Sequence, residues 1–165
     1  HITPEEYAAK VEDNTITEVL HDYNVEAGDV FFLPAGRIHS IGTGCFIAEI
    51  QQTSDITYRI YDFGRVGLDG KPRELHTELS KAAIDYTVLD DYKTAYEDVK
   101  NAENEIVSCE YFTTSIYDLT EAVTAPVKAN DSFLIVICVG GNGTLTDSEG
   151  NKVTNSEIAK ELGKL

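Results

Sequence analysis

The segment 28–39, GDVFFLPAGRIH, constrains the fold of this 165-residue chain more than any other part of the sequence. A β-prone apolar run, residues 30–33, lies between a Gly-Asp turn signal and a Pro-Ala-Gly corner. Proline fixes φ and glycine accepts positive φ, so the chain has to bend after the run. We therefore predict a short strand and a rigid corner that deliver His39 to one place. An imidazole held in this way is a candidate metal ligand.

Length and composition favour a folded core and exclude two kinds of partner. No apolar run approaches the roughly 18 residues that a membrane span needs. The net charge of −16 argues against nucleic-acid binding, which requires clustered Lys and Arg. The first residues are polar and acidic, unlike a signal peptide. The three cysteines form no C-x-x-C pair, and we interpret them as buried small residues in a reducing cytoplasm: Cys45, Cys109 and Cys138.

The positive charge of the chain is concentrated in one region. Residues 37–73 contain five basic side chains and four carboxylates, a net charge of +1, whereas the rest of the chain sums to −17. The basic residues are all four arginines and one lysine: Arg37, Arg59, Arg65, Arg73 and Lys71. A planar guanidinium suits phosphate because it donates two charge-assisted hydrogen bonds at once. Surface ion pairs with nearby carboxylates are the alternative interpretation.

Local patterns predict helices at both ends of the first half. Thr3-Pro4-Glu5-Glu6 has the residues of a capping box with Pro at the first helical position. A short second helix is predicted over 15–22. A third is predicted over 77–86, with Thr77 as its cap and Leu79, Ala82 and Ala83 on its buried side.

The remaining patterns are those of strands and turns. Successive strands broken by glycines are predicted over 25–63, and Glu49 and Gln51 share one face there. Further strands are predicted at 111–119 and 133–139, with a hairpin over 143–154 that turns at 148–151. Residues 155–165 have helical spacing.

The motif and its continuation resemble a known family. The spacing of Gly28, Pro34, Gly36 and His39 resembles the second conserved motif of the cupin superfamily. Together with FIAEIQQ at 46–52 and SDITYRIYDF at 54–63, it is similar to the type I mannose-6-phosphate isomerase family in its short bacterial form. Residues 108–154 resemble that family's later, degenerate cupin.

The resemblance implies a mainly β fold of cupin-type jelly-roll barrels with short flanking α-helices. The first barrel would be incomplete at its N-terminal side and the second truncated. The implied domains are the end of a helical insertion (1–24), the C-terminal part of the catalytic cupin (25–89), a connection (90–107) and a truncated second cupin (108–165). Because the sequence contains no Met and opens directly onto a helix, we expect a C-terminal portion of a longer polypeptide.

The family reaction interconverts mannose 6-phosphate and fructose 6-phosphate through an enediol, in the cytoplasm and with zinc as the metal. His39 matches the histidine that completes the family's metal site. The other family ligands, a Gln-x-His pair and a Glu, precede the helical insertion, and this sequence contains no Gln-x-His. Zinc sites of this type need three or four protein ligands. We therefore expect this chain to bind little or no metal and to be inactive alone.

The resemblance also assigns roles to polar residues. Arg59 matches a catalytic-site arginine that stabilises the enediolate or engages the substrate. Glu49 is the candidate for proton transfer, and Asp55 matches an acidic position of the same site. An exposed strand carboxylate and a turn residue, respectively, are the alternatives for these two acids.

The candidates for phosphate binding are Arg37, Arg65 and Lys71. His76 precedes the predicted third helix, where capping or packing is the more ordinary use of a histidine.

Two other functions stay open. One is a non-catalytic cupin module that binds a sugar phosphate without metal through Arg37, Arg59 and Arg65. The other is a structural remnant that dimerises over the sheet edge left open by the incomplete barrel, because an exposed edge readily pairs with another chain. The expected partners are thus a sugar phosphate and a second copy of the chain, without nucleic acid or membrane.

Overall fold

The computed structural model of the chain describes residues 1–125 and 133–156. It contains two α-helices, one 3₁₀ helix and four strands in the order α1 Pro4–Glu12, 3₁₀ helix Ile16–Val19, α2 Thr77–Ala83, β1 Asn104–Ser108, β2 Thr113–Ile116, β3 Asn142–Thr146 and β4 Lys152–Ser156. Two compact units form. The first contains His1–Phe46 and Gln51–Val123, and the second contains Ile47–Ile50 and the described residues from Thr124 onward.

The capping box at the start of α1 is confirmed. The Thr3 hydroxyl accepts a hydrogen bond from the Glu6 N–H at 3.2 Å, and the Glu6 carboxylate accepts one from the Thr3 N–H at 2.7 Å. The second predicted helix is only the 3₁₀ helix Ile16–Val19, because the backbone of Leu20 is extended and ends it. This helix contributes a buried Ile16 to the first unit.

Helix α1 packs on α2 in the first unit. Tyr7 of α1 is fully buried, and its ring meets the Tyr86 ring edge-on at 6.4 Å. Burial raises the pKa of the Tyr7 hydroxyl. At the edge of the contact, Lys81 and Glu5 form an ion pair at 3.2 Å.

Two predictions for α2 were wrong. The residue at its N-cap is His76 rather than Thr77. The buried residue of α2 is Ser80, whereas the predicted apolar side, Leu79, Ala82 and Ala83, is exposed. The tyrosine rings of 7 and 86 already fill the interface, so the helix contributes a small side chain there rather than a large one.

The corner in segment 28–39 is confirmed. The Arg37 N–H donates to the Pro34 carbonyl at 3.1 Å, and Gly36 has a φ of +86°. Its carbonyl accepts from the Asp85 N–H at 3.0 Å, so the corner lies against the end of α2. A Cβ at position 36 would lie 2.5 Å from the carbonyl oxygen of Ala83, so only glycine fits.

The strands predicted over 25–63 were wrong for the described structure, in which this segment contains no strand and belongs to no sheet. Beside residues 30–33, the Thr94 N–H donates to the Val30 carbonyl at 2.8 Å, but the Phe32 N–H donates to the Thr94 hydroxyl at 3.2 Å. The Thr94 hydroxyl thus accepts the hydrogen bond that a backbone carbonyl would accept in a sheet. A strand requires successive backbone partners, and one backbone pair does not make a ladder.

The acidic segment 90–107, predicted as a connection between domains, contacts an earlier part of the first unit. The Tyr96 hydroxyl donates to the Gly28 carbonyl at 2.7 Å, and Lys93 pairs with Asp29 at 2.7 Å. The Tyr23 hydroxyl donates to Asp91 at 3.0 Å. These contacts attach residues 91–96 to residues 23–29 within the first unit. The predicted domain bounds at 24, 89 and 107 stay predictions.

Strands β1 and β2 form an antiparallel pair with an irregularity between Glu105 and Val107. The sequence pattern predicted a strand around β2 and missed β1. Asn104 at the start of β1 is buried, and its side-chain amide exchanges hydrogen bonds with the backbone of Val99, both at 2.9 Å.

In the second unit, strands β3 and β4 form the predicted hairpin. The carboxylate of Asp147 accepts from the N–H groups of Glu149 and Asn151 at 2.9 and 2.8 Å, which closes the turn. Of the helix predicted over 155–165, residues 155 and 156 belong to β4 and the rest lies outside the described residues. The strand predicted at 133–139 is not formed, and this segment has no sheet partner among the described residues.

The observed elements support the mainly β cupin class in part. The described residues form two separate two-stranded sheets and no closed barrel. Within this part of the chain, no helix is long and apolar enough to cross a membrane. All three cysteines are free thiols, and Cys45 is exposed rather than buried because it directly follows the turn at Gly44.

A buried carboxylate holds the loop after residue 61. The Asp62 side chain is only 7% exposed. It accepts from Arg73 Nε at 2.7 Å and from Arg65 Nη2 at 3.1 Å, and Arg73 Nη2 makes a further bond. Within the loop, the Gly67 N–H donates to the Lys71 carbonyl at 2.8 Å. Asp62 therefore joins the two ends of the loop.

We predict that Gly36→Ala destabilises the first unit by about 2 kcal/mol or more, since it combines left-handed backbone strain with a backbone clash. Gly42→Ala is the matched control, because a Cβ there has open space and no positive φ is required. Urea unfolding followed by circular dichroism measures both. Equal midpoints for the two variants would contradict the account of the corner.

A second prediction concerns acid stability. The hydrogen bond from Arg73, with the charges of Arg73, Arg65 and Arg59, lowers the pKa of Asp62. Because the folded pKa is below the unfolded value of about 3.9, the contribution to stability is full above that value and is lost as the pH falls through the folded pKa. Asp62→Asn should therefore unfold at lower urea than wild type near pH 7, and the difference should shrink toward pH 3.

The matched control for that series is Asp90→Asn, since Asp90 is exposed and has no hydrogen bond or ion pair in the described part of the chain. It should follow the wild type at every pH. A gap between Asp62→Asn and wild type that does not change with pH would contradict the ion-pair explanation.

Candidate functional site

Arg59 is held by residues 74–76 at both its backbone and its side chain. Its N–H donates to His76 Nδ1 at 2.9 Å, and the His76 N–H donates back to the Arg59 carbonyl at 2.8 Å. Its guanidinium donates through Nη1 to the Glu74 carbonyl at 3.3 Å. The predicted catalytic arginine thus lies in a fixed position beside the residues that lead into α2.

Two arginines bind the buried carboxylate of Asp62, and a third lies near it. Arg73 and Arg65 bind it directly, and Arg59 lies near enough for its charge to help lower the pKa of Asp62. In turn, the bond to Asp62 raises the pKa of Arg73. We call Asp62, Arg59, Arg65 and Arg73 the Asp62 cluster. It contains three guanidinium charges and one carboxylate, a net charge of +2.

The Asp62 cluster can bind an anion. Each guanidinium has five N–H donors, and Asp62 uses only some of those on Arg65 and Arg73. The Arg65 side chain is 63% exposed and lies over the Phe63 ring at 5.6 Å, so its remaining donors face solvent. Because the carboxylate fixes two of the forks, a phosphate would meet donors that are already oriented.

The predicted phosphate ligand Arg37 lies in a different environment. Its guanidinium donates to Asp85 at 2.9 Å and to the Thr87 carbonyl at 2.8 Å, and it lies 5.0 Å from the centre of the Tyr92 ring. Its side chain is only 11% exposed. These contacts fasten the corner at Gly36 to the residues after α2. A phosphate-binding role for Arg37 stays a prediction.

The structure does not bring the other predicted residues into the Asp62 cluster. His39 is exposed, with Nδ1 at 3.0 Å from the Arg37 carbonyl oxygen. Lys71 and Asp55 are exposed within the first unit. Glu49 is exposed too, and it belongs to Ile47–Ile50 of the second unit. The roles predicted for these four residues stay predictions.

The residues present do not fit a zinc site. Among residues 1–125 and 133–156, no group of three His, Cys, Asp or Glu side chains could hold a metal ion. His39 offers a single imidazole, whereas a zinc site needs three or four protein ligands. No step of the chemistry below is therefore assigned to a metal.

A shallow cavity of about 260 Å³ opens elsewhere in the first unit, lined in part by Gly28, Lys93, Thr94 and Tyr96. None of the predicted site residues lines it. Its walls are largely the backbone and side chains that join residues 28–30 to 91–96, so it belongs to the fold rather than to the candidate site.

Sequence reasoning missed three residues of the site: Asp62, Arg73 and His76. The clustering of all arginines in 37–73 was the available signal for Arg73. For Asp62 the sequence offers no signal, because it does not show which of the four acids in 37–73 is buried between Arg65 and Arg73. His76 was interpreted through its place before a helix, which does not show the contact with residue 59.

Comparison with known proteins identifies the family of the chain. Residues 102–154 match the family model described as the mannose-6-phosphate isomerase cupin domain. Mannose-6-phosphate isomerase ManA of Bacillus subtilis (strain 168) is 32% identical over 149 residues, which are 89% of this chain and 47% of that protein. No solved structure shows a significant match.

Two further relatives carry the same description. Probable mannose-6-phosphate isomerase GmuF of B. subtilis is 30% identical over 88% of this chain and 46% of its own length. Mannose-6-phosphate isomerase of Streptococcus mutans serotype c is 35% identical over 74% of this chain and 38% of its own length. The chain spans about half the length, or less, of these curated relatives. It belongs to the mannose-6-phosphate isomerase family.

Proposed function

We propose that this chain provides the sugar-phosphate-binding part of a mannose-6-phosphate isomerase. The observation that carries the proposal is the Asp62 cluster, in which Arg65 and Arg73 bind one buried carboxylate and Arg59 lies near it. The names of the relatives supply the substrate class, mannose 6-phosphate. The guanidinium groups of the Asp62 cluster would bind the phosphate of this substrate.

Charge supports this assignment. A phosphate monoester carries a charge of about −1.5 to −2 at pH 7, and the Asp62 cluster carries +2. The rest of the chain is strongly acidic and would repel such an anion, so binding has to be local. Asp62 holds Arg65 and Arg73 before the ligand arrives. Less side-chain freedom is then lost on binding, which favours affinity.

The roles proposed for the reaction involve Arg59 of the Asp62 cluster and residues outside the cluster. Arg59 would stabilise negative charge on the enediolate oxygen or hold the sugar, because its guanidinium is positively charged and anchored to the Glu74 carbonyl. Glu49 would move a proton between C1 and C2, with Asp55 as the second acid of the site. Arg65 and Lys71 would hold the phosphate from the loop after Asp62.

This chain alone would bind the substrate without isomerising it. The family reaction uses a metal, and His39 would supply one ligand of the three or four that a site needs. Further ligands would have to come from outside the described residues. Binding through guanidinium groups requires no metal, so we propose that affinity and turnover are separable here.

We predict that Arg59→Ala and Arg65→Ala each weaken mannose 6-phosphate binding about tenfold or more. A hydrogen bond to a charged group is worth about 1.5–3 kcal/mol, and 1.4 kcal/mol corresponds to a tenfold change in affinity. Isothermal titration calorimetry measures the loss. Lys100→Ala is the control, because Lys100 pairs with Asp118 outside the Asp62 cluster.

The same titrations separate the alternatives. Mannose without phosphate should not bind, and a chelator should leave mannose 6-phosphate affinity unchanged. An absence of binding by the wild-type chain would refute the proposed function. Turnover by this chain alone after addition of zinc would show that its metal site is complete. That result would contradict the conclusion that its residues do not fit a zinc site.

A second role has its own observation. Residues 133–139 form an apolar run, FLIVICV, without a sheet partner among the described residues. Its large side chains are exposed, with Phe133 at 83%. An exposed apolar segment of β-prone residues is a candidate for pairing with another chain. We therefore propose that two copies of the chain associate through this segment.

We predict that the wild-type mass from light scattering rises with concentration toward a dimer. The double variant Ile135→Lys with Ile137→Lys should stay monomeric, since neighbouring like charges oppose pairing. Thr144→Lys with Ser148→Lys is the control, because it adds the same charge on exposed residues of the β3–β4 hairpin that are not cross-strand partners. A monomeric wild type at high concentration would refute this role.

A further inference from the structure

The His76 side chain makes a hydrogen bond that is unusual for a histidine at the start of a helix. It stands at the N-cap of α2, but its side chain caps no helix N–H. Its imidazole instead accepts from the Arg59 N–H at 2.9 Å across 17 residues of sequence. The cap position thus supplies a hydrogen bond to another segment, and that segment contains the predicted catalytic arginine.

Residues 59 and 76 are joined in both directions. The His76 N–H donates to the Arg59 carbonyl at 2.8 Å, while His76 Nδ1 accepts from the Arg59 N–H. The pattern is that of two paired strand residues, with an imidazole nitrogen in place of one carbonyl. Accepting at Nδ1 requires a neutral ring with its proton on Nε2.

Residues 73–76 connect the hydrogen-bonded pair of Arg59 and His76 to helix α2 and to the rest of the Asp62 cluster. The His76 carbonyl accepts from the Ser80 N–H at 2.8 Å, which starts the hydrogen bonding of α2. The Glu74 carbonyl holds the Arg59 guanidinium, and Arg73 binds Asp62. Residues 73–76 therefore join the helix, the Arg59 backbone and the rest of the Asp62 cluster.

We propose that His76 is a positioning residue that fixes the Arg59 backbone, and through it the direction of the Arg59 guanidinium, by means of a neutral imidazole. The consequence for ligand affinity rests on the function proposed above. The hydrogen-bonded pair itself does not, so the two can be tested apart. His76 does not need to touch the sugar phosphate.

Three substitutions at position 76 test the role of the Nδ1 acceptor. Asn places its amide oxygen near the position of Nδ1, so His76→Asn should keep the bond to Arg59. Gln is one carbon longer and Ala has no acceptor, so both should lose it. If the role were only helix packing, this order would not be expected.

The primary measurement is nuclear magnetic resonance on the ¹⁵N-labelled chain. Wild type should show coupling across the hydrogen bond between the Arg59 amide nitrogen and His76 Nδ1. Arg59 amide exchange should be about fivefold faster in His76→Ala and His76→Gln, since one net hydrogen bond of ~1 kcal/mol is lost, and close to wild type in His76→Asn. No coupling, or Arg59 exchange unchanged in His76→Ala, overturns the proposal.

The second measurement is mannose 6-phosphate titration of the same variants. His76→Ala should weaken binding about fivefold and His76→Asn less than twofold, by the same hydrogen-bond arithmetic. In an Arg59→Ala background, His76→Ala should cause no additional loss, because His76 acts through Arg59. An equal loss in both backgrounds overturns the proposal.

His21→Ala is the matched control, since His21 is exposed and packs only beside Tyr23 among its aromatic neighbours in the described structure. It should leave both readouts unchanged. If the wild-type chain fails to bind mannose 6-phosphate, the proposed function fails, and the Arg59 resonances still decide whether His76 holds Arg59.

Discussion

The buried carboxylate of Asp62 is the interaction on which the candidate site depends. A carboxylate removed from water needs charged partners, and Arg65 and Arg73 supply them from the two ends of one loop. The same contact that makes burial of Asp62 tolerable therefore closes the loop and orients two guanidinium groups. The contacts of Asp62 with Arg65 and Arg73 therefore both stabilise the loop and prepare a site for an anion.

The helical part of the first unit is coupled to that feature through residues 73–76. Arg73 binds Asp62, Glu74 and His76 hold Arg59, and the His76 carbonyl begins α2. Helix α2 in turn packs against α1, where Tyr7 is fully buried. The direction of Arg59 is thus connected by short, partly buried contacts to the best-packed region of the first unit. A chain without a large core can position a functional side chain in this way.

Local features were predictable from the sequence, and features that need distant partners were not. The capping box at Thr3, the corner at Gly36 and the β3–β4 hairpin are each satisfied within a few residues. The strands expected over 25–63 failed because alternation shows which side chains share a face, but not whether backbone partners exist. Asp62 was missed for a related reason, since the sequence does not show which carboxylate is buried.

The 28–39 motif has a structural explanation that is independent of a metal. Gly36 is required where the corner lies against the carbonyl of Ala83, and Gly28 accepts the Tyr96 hydroxyl bond. Arg37 then fastens the corner to Asp85. Each of these contacts joins the motif to residues 83–96, whereas His39 at its end is exposed. In this chain the architectural contacts of the motif are the ones in place.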